Sequence, residues 1–275
     1  MTDLTAIAKR LPSAPSGAPR PVGGGCIHSS YVWGDCFLKT NDLSQSDNFA
    51  TEAAGLEAIA ATGAIRVPEV IVHGIEGETA FLILERLKLV SSGDEAALGE
   101  QLAILHSHTA GAFGFDCDNF IGATPQPNPR TTSWVEFFTE HRIRHLLRLL
   151  GDRGLRFAGS DDFLRRLPDL LPPDPPASLI HGDLWAGNKA FLPDGTPVLF
   201  DPAAHHADPE CDLAMTGLFG GFSARFHDAY RSVHPAPADE HDRHEIYRLY
   251  HLLNHALLFG GSYIDQAGAV ISRFA

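Results

Sequence analysis

The chain has 275 residues, 44% of them apolar and 20% charged, and carries a formal charge of −13. That composition fits one large globular domain or two lobes and excludes a fibrous or disordered chain, while the negative charge disfavours nucleic acid and anionic lipid as general partners. No apolar run approaches the about 18 residues of a membrane helix, the N-terminus lacks a secretory apolar centre, and four cysteines without CxxC spacing suit a reducing compartment, so no membrane partner and a cytoplasmic location are expected. The acidity would suit a cationic or amine-bearing substrate, although acidity alone also serves solubility.

After a Pro-rich opening, PVGGGCIHSSYVWGDCFLKT (residues 21–40) reads as a glycine cluster followed by a hairpin of strands. SQSDNFATEAAGLEAIAATG predicts a helix with Ser46 or Asp47 as N-cap and Gly63 as its stop. VPEVIVHG and TAFLILERL predict two more strands, making residues 1–87 a small α+β lobe. From Glu95 the pattern turns helical, through ALGEQLAILHSHT, SWVEFFTEHRIRHLLRLLG and DDFLRRLPDLL, with a Pro/Asn loop over residues 124–130. HGDLWAGN (181–188) and VLFDP (198–202) interrupt the helices with a loop and one hairpin turned at Pro193-Asp194-Gly195. Helices including HEIYRLYHLLNHALLFGG finish a larger, mostly helical lobe over residues 88–275.

Phosphoryl transfer from a nucleotide needs a carboxylate at the acceptor hydroxyl, oxygen ligands for magnesium, and cations or amides along the phosphates. Asp183 and Asn188 stand as D-x-x-x-x-N, and Asp201 follows a strand thirteen residues later; kinases use this order for the base, the first metal ligand and the second. The hairpin between them would bring the two metal ligands together. Read alone, the same residues are also common turn formers.

Upstream, Phe49, Glu52, Leu56 and Ile59 are spaced 3, 4 and 3 apart and share one otherwise apolar helix face. A carboxylate there needs a partner, and Lys39 at the end of CFLK is the obvious one; kinases use such a pair to position the nucleotide phosphates. The alternative is a solvated Lys39 and a Glu52 at the edge of the stripe. Gly23, Gly24 and Gly25 would let backbone N–H groups approach phosphate, or simply make a hairpin, since G-x-G-x-x-G is absent. ILERL ends a strand at the lobe boundary, where the backbone of Glu85, Arg86 and Leu87 could pair with adenine or merely lead into a linker.

These strings, with FATEAAGLEAIAATGAIRVPEV, FGFDCDNFIGATPQPN, DPAAHHADPECDLAM, LFGGF and HALLFGGSY, resemble the fructosamine (ketosamine) kinase family, relatives of aminoglycoside and choline kinases, over about residues 20–264. The resemblance implies an α+β, two-lobed protein-kinase-like fold, with a small antiparallel sheet and one main helix in the first lobe. It also implies ATP with Mg2+, and phosphorylation of the sugar 3-hydroxyl of a small ketosamine or a glycated protein lysine, an activity that destabilises the adduct and so removes it. By position, Asp183 is similar to the catalytic base, Asn188 and Asp201 to the metal ligands, Lys39 and Glu52 to the phosphate-positioning pair, and Trp185 to a substrate-facing residue whose indole suits the C–H face of a sugar. The alternatives are an aminoglycoside or choline phosphotransferase of the same fold, and a non-catalytic nucleotide-binding protein.

His28 departs from the Asn usual in that family after CI, and Lys189, where an apolar residue is usual, is expected to begin a strand and be solvated. His205-His206 and His241 with His244 lack the spacing of a zinc site. His181 is expected to be a packed loop residue rather than a base. Asp212 is expected to be structural, as a helix N-terminal acid or by bonding the loop backbone. Cys26 is either an oxidisable thiol able to link two chains in a homodimer or a small buried residue.

Overall fold

The computed structural model describes residues 4–11, 13–23, 28–237 and 240–275. Its first half is built on one antiparallel sheet of β1 (Arg20–Val22), β2 (Ser29–Trp33), β3 (Cys36–Asp42), β4 (Val70–Glu76) and β5 (Thr79–Glu85), in the order β1-β2-β3-β5-β4. Strand β5 is buried from Ala80 to Leu84 because both of its faces are covered. Ala80, Leu82 and Leu84 pack with Phe49 and Leu56 of α2 (Ser46–Thr62), while Phe81 and Ile83, on the opposite side of the pleat, pack with Trp33 and with Ile7 of α1 (Leu4–Ala8). Helix α1 was not expected from a Pro-rich opening; it is held through the single fully buried side chain of Ile7.

The face of α2 carrying Phe49, Glu52, Leu56 and Ile59 is buried, and Gly63 ends the helix in a left-handed conformation at φ 64°. Its start differs from expectation. A 3-10 turn over Leu43–Gln45 runs directly into the helix, so neither Ser46 nor Asp47 supplies a side-chain cap. The hairpin expected after the glycines is β2 with β3, turned between Trp33 and Cys36, and a further strand, β1, lies before the glycines and pairs with β2 across them. Strand β1 is exposed along its length and shows no apolar alternation, which is why pattern reading passed over it.

The second half is mainly helical: α3 (Glu95–His106), α4 (Trp134–Phe138), α5 (His145–Asp152), α6 (Ser160–Leu170), α7 (Glu210–Thr216), α8 (Ala224–Val233), α9 (Glu240–Phe259) and α10 (Ser262–Phe274). Asp94 caps α3 by accepting from the N–H groups of Ala96 and Ala97. The expected long helix over SWVEFFTEHRIRHLLRLLG is interrupted by a π turn at Thr139–Arg144, whose Arg142 turns inward to donate to Pro127 O and Asn128 Oδ1. Central to this lobe is α9, whose Ile246, Leu249 and Leu253 meet Trp134, Phe138 and Ile271. A separate apolar cluster runs from α2 and the sheet through Leu98 and Leu102 to Phe226 and Tyr230, so the two lobes share a core along α3.

Short strands lie between the helices. The segment read as a Pro/Asn loop contains half of a hairpin, β6 (Asn119–Ile121) with β7 (Thr124–Gln126). Its paired inward residues are amides, with Gln126 Nε2 donating to Asn119 Oδ1 at 2.6 Å, so no apolar alternation announced it. The expected hairpin around Gly195 is β9 (Lys189–Phe191) with β10 (Pro197–Leu199). A further pair, β8 (Ser178–Ile180) with β11 (His205–Ala207), brackets HGDLWAGN and anchors both ends of the loop region. Among the described residues no helix is long and apolar enough to cross a membrane.

Candidate active site

The loop that follows β8 is held from below. Gly182 has φ 81°, and a Cβ there would come within 2.2 Å of Ala203 O, so only glycine fits the bend that turns Asp183 outward. The carboxylate of Asp212 accepts from His181 N (2.7 Å) and Gly182 N (2.9 Å), and its Oδ2 is 3.1 Å from His106 Nε2. Burial would push this carboxyl up, but His106 and the loop amides outweigh it and hold it below the usual carboxylate range. His106 Nδ1 in turn meets Tyr230 OH at 2.8 Å. Asp212 therefore bonds the loop backbone, the structural role expected of it.

His181 is fully buried, and its backbone neighbours fix its tautomer. Asp183 N–H donates to Nδ1 (3.3 Å), which leaves Nε2–H to donate to Phe200 O (3.0 Å). Burial lowers its pKa and keeps it neutral, so it packs the loop and is no free base.

Above this base the cleft residues converge. Asn188 Nδ2 donates to Asp183 O (2.9 Å), Asp183 Oδ2 (3.1 Å) and Asp201 O (3.5 Å). None of these bonds uses Asn188 Oδ1, which remains an oxygen donor. Asp201 is the non-glycine residue with positive φ among the described residues, at 57°. That uncommon conformation aims its carboxylate back across the hairpin toward the sheet. There Asp201 Oδ1 lies 2.6 Å from Lys39 Nζ, and Lys39 Nζ lies 2.7 Å from Glu52 Oε1. Lys39 and Glu52 are buried, whereas the Asp201 side chain is 47% exposed. Burial works to lower the Lys39 pKa, but the two carboxylates more than offset it and the group is held charged. Two of the three ammonium hydrogens are used, and the third is free for an anion.

Asp183 itself is shifted most usefully. Removal from water at the cleft floor lifts its carboxyl to about 7; the Asn188 hydrogen bond pulls the other way, and Asp201 and Asp212 add to the rise. A carboxyl in that range can accept a proton near neutral pH and release it again. For a divalent cation, the free Asn188 Oδ1 and the outer oxygen of Asp201 form a set of hard oxygen donors. Among the described residues no group of three or more His, Cys, Asp or Glu could hold a metal by itself. Two protein oxygens fit magnesium, which commonly takes one or two protein ligands together with substrate phosphates.

Other expected positions fare differently. Of the glycines, Gly23 follows β1 in open space, where an added Cβ would meet nothing within 4 Å, and Gly24, Gly25 and Cys26 lie outside the described residues. At Glu85–Leu87 two of the three backbone donors are already used: Glu85 N–H donates to Glu69 O (2.8 Å) and Arg86 N–H to Asp35 O (2.9 Å). The Glu85 side chain takes Arg66 and Glu69 N–H. The backbone here is thus tied to the turn at Asp35 and to the chain just before β4, more than its sequence implied, and Leu87 is left as the backbone donor for a base. His28 lies half-buried near Lys39, its ring 4.7 Å from Phe49 and its Nδ1 2.9 Å from Asn41 Nδ2; burial first, then the Lys39 charge, lowers its pKa to about 4. Lys189 is not solvated: its side chain is 7% exposed, paired with Glu95, with Nζ 4.5 Å from the Phe222 ring centre. A partly buried acid at the start of α3 explains a cation where an apolar residue was expected.

His106 and Tyr230 were missed as parts of the site. Leu98, Leu102 and His106 recur every four residues on the buried face of α3, and that spacing could have flagged the histidine. Its partner Tyr230, 124 residues away, left no such signal.

The family profile described as Fructosamine kinase matches residues 7–275. The chain belongs to the fructosamine kinase family. A probable ketoamine kinase of Synechocystis is 44% identical over 262 residues, covering 92% of this chain and 89% of its own. A crystal structure of a candidate fructosamine-3-kinase from Haemophilus somnus superposes with a TM-score of 0.91 at 28% identity, over 98% of this chain and 97% of that one. Aminoglycoside phosphotransferase APH(4)-Ia matches with a TM-score of 0.65 at 15% identity, over 99% of this chain and 98% of that one, a likeness of fold alone. The α+β, two-lobed kinase-like architecture is thus shared with a solved structure of the same description and with a more distant phosphotransferase.

Proposed function

We propose that the chain is an ATP-dependent ketosamine kinase that phosphorylates the sugar 3-hydroxyl of a small ketosamine or a glycated lysine, with Asp183 accepting the hydroxyl proton. The observation that carries this reading is the convergence of Asp183, Asn188, Asp201 and Lys39 in one cleft, each within hydrogen-bond distance of the next. Magnesium-bound ATP would supply the transferable phosphoryl group and offset the charge on its oxygens. Asn188 Oδ1 and Asp201 would hold the cation. Lys39, kept charged by Glu52, would offer its third hydrogen to the phosphates, and the backbone from Gly23 to Gly25 would lie along them. Leu87 N–H is the donor offered to adenine. Asp183 orients and deprotonates the acceptor hydroxyl, and Trp185, 40% exposed on the same loop, presents its indole to the sugar.

The lobe boundary is placed at residues 87/88, between the end of β5 and the start of α3. Free thiols at Cys36, Cys117 and Cys211 support a cytoplasmic setting. A homodimer joined through Cys26 belongs to the same reading and is tested by non-reducing gel mobility of the chain against Cys26→Ser. The ketosamine reading is favoured over aminoglycoside or choline kinases because the 44% identical relative carries the ketoamine kinase name, whereas the aminoglycoside likeness shows fold only. The deciding experiment measures ATP consumption on ketosamines, choline and aminoglycosides with Asp183→Asn as control. Turnover confined to ketosamines and lost in the control is expected; turnover only on an aminoglycoside, or surviving the control, would overturn the assignment.

A further inference from the structure

An aromatic track leads away from the catalytic loop on its helical side. Trp185 meets Phe219 edge-on with ring centres 6.1 Å apart, Phe219 meets His255 at 5.3 Å, and His255 meets Phe259 at 5.6 Å and Tyr263 at 5.0 Å. Trp185, Phe219 and Phe259 are 40%, 42% and 60% exposed, large apolar exposures on the described surface, and they are contiguous rather than scattered. Contiguous exposed apolar surface marks a place where something docks.

The loop is shaped to present this track. A Cβ on Gly187 would come within 2.3 Å of the Trp185 indole, so the bare glycine lets the ring lie flat along the loop. A Cβ on Gly221 would come within 2.5 Å of the Ala186 side chain, and Gly220 and Gly221 take φ values of 70° and 89°, which bring Phe219 up against the indole. Next along, His255 is held by its Nδ1 contact to His251 O at 2.7 Å, and burial lowers its pKa, so the track is uncharged at neutral pH.

Chemistry at Asp183 fixes what reaches these rings. Lys39 and Asp201 stand on the sheet side of Asp183, where the phosphates belong. With the acceptor hydroxyl at Asp183 and the sugar against Trp185, the rest of the acceptor meets the rings that continue from Trp185 through Phe219 to His255. We infer that the amine body attached to the sugar docks along Trp185, Phe219, His255 and Phe259, and that the enzyme selects ketosamines whose amine carries an aromatic or long apolar group. This rests on the ketosamine reading above and names the side of the substrate that reading leaves open. Aromatic faces stacking on an apolar body supply the selectivity.

The test compares kcat/KM for fructosyl-4-phenylbutylamine and fructosyl-ethylamine, in the wild-type chain and in a Phe219→Ser/Phe259→Ser double variant. The short amine cannot span the track. The expected preference for the aryl amine is about tenfold, the size of burying part of one ring, falling to about twofold in the double variant. Equal kcat/KM in the wild-type chain, or a preference that survives the double variant, would overturn the inference. A pair of glycated lysine peptides with and without a neighbouring Phe tells whether a peptide supplies the same apolar body: preference for the Phe peptide, lost in the double variant, supports the track, and indifference to Phe limits it to small amines. Acrylamide quenching of the exposed Trp185 gives a readout independent of the variants. Protection by the aryl amine is expected, and protection that follows protein concentration instead means a second copy covers the track and overturns the inference. Absence of ATP consumption on every ketosamine would sink the ketosamine reading itself and this inference with it, an outcome distinct from equal turnover.

Discussion

Among the described residues two carboxyl groups are lifted to about 7 by burial, Asp183 in the cleft and Asp208 in the helical lobe, and their surroundings differ in one decisive way. Asp208 is closed off. Tyr247 OH donates to its Oδ2 at 2.6 Å, Glu210 N–H to its Oδ1 at 2.9 Å, and Arg243 grips the adjacent Glu210 with both Nε (2.9 Å) and Nη2 (3.0 Å). Asp183 shares one oxygen with Asn188, and its neighbour Asp201 is half exposed to the cleft. A raised pKa alone therefore does not identify a reactive group. The useful distinction is whether both of its oxygens are already bonded within the fold.

Activity should separate the two acids most sharply. Asp183→Asn should lower kcat about 10³-fold, the size of a lost general base, with little change in melting temperature, while Asp208→Asn should leave kcat within about threefold. Equal losses in steady-state ATP consumption would show that burial, not openness, sets the role.

Stability should respond in the opposite sense. Arg243→Ala strands the buried Glu210 charge and should cost about 4 kcal/mol in urea unfolding. A cost near zero would mean that the closed network contributes no more than the open one.

The pH dependence sharpens the same contrast. Asp208 has a folded pKa near 7 against an unfolded value of 3.8, so the folded state holds its proton while the unfolded state loses it. Its contribution is fully present below 3.8 and is lost as pH rises toward and through 7. Asp208→Asn cannot titrate, so its stability relative to the wild-type chain should improve by about 3 kcal/mol between about pH 4 and about pH 7.5. A pH-independent difference would mean that Asp208 titrates alike in the folded and unfolded chain.

The smallest expected effect concerns the open site. Glu52→Gln leaves Lys39 paired only with Asp201 and should raise the KM for ATP about tenfold, the value of one charge-assisted hydrogen bond. An unchanged KM would mean that Asp201 alone positions the ammonium.

Much of this site was legible because its parts are local. The facing of Phe49, Glu52, Leu56 and Ile59 follows from helical period, the turn at Gly195 from residue type, and the order Asp183, Asn188, Asp201 from spacing alone. Other parts were illegible for equally physical reasons. Strand β1 pairs only through its backbone; the β6–β7 hairpin pairs buried amides rather than apolar residues; and the donors of Glu85 and Arg86 were spent on Glu69 and Asp35, partners that no local pattern names. Lys189 looked solvated because the acid that buries it, Glu95, is 94 residues away.

By itself, the sequence determined which residues share a helix face, where the chain must turn and which acids and amides recur at kinase spacing, because each depends on a few neighbouring residues and the fixed geometry of the backbone. Tertiary structure decided how those groups behave. It brought Lys39 to Asp201 across 162 residues, bent Asp201 into a left-handed conformation, tied the loop to Asp212 and partly withdrew Asp183 from water. Desolvation and charge pairing depend on everything packed around a group, and that is known only once the chain has closed on itself.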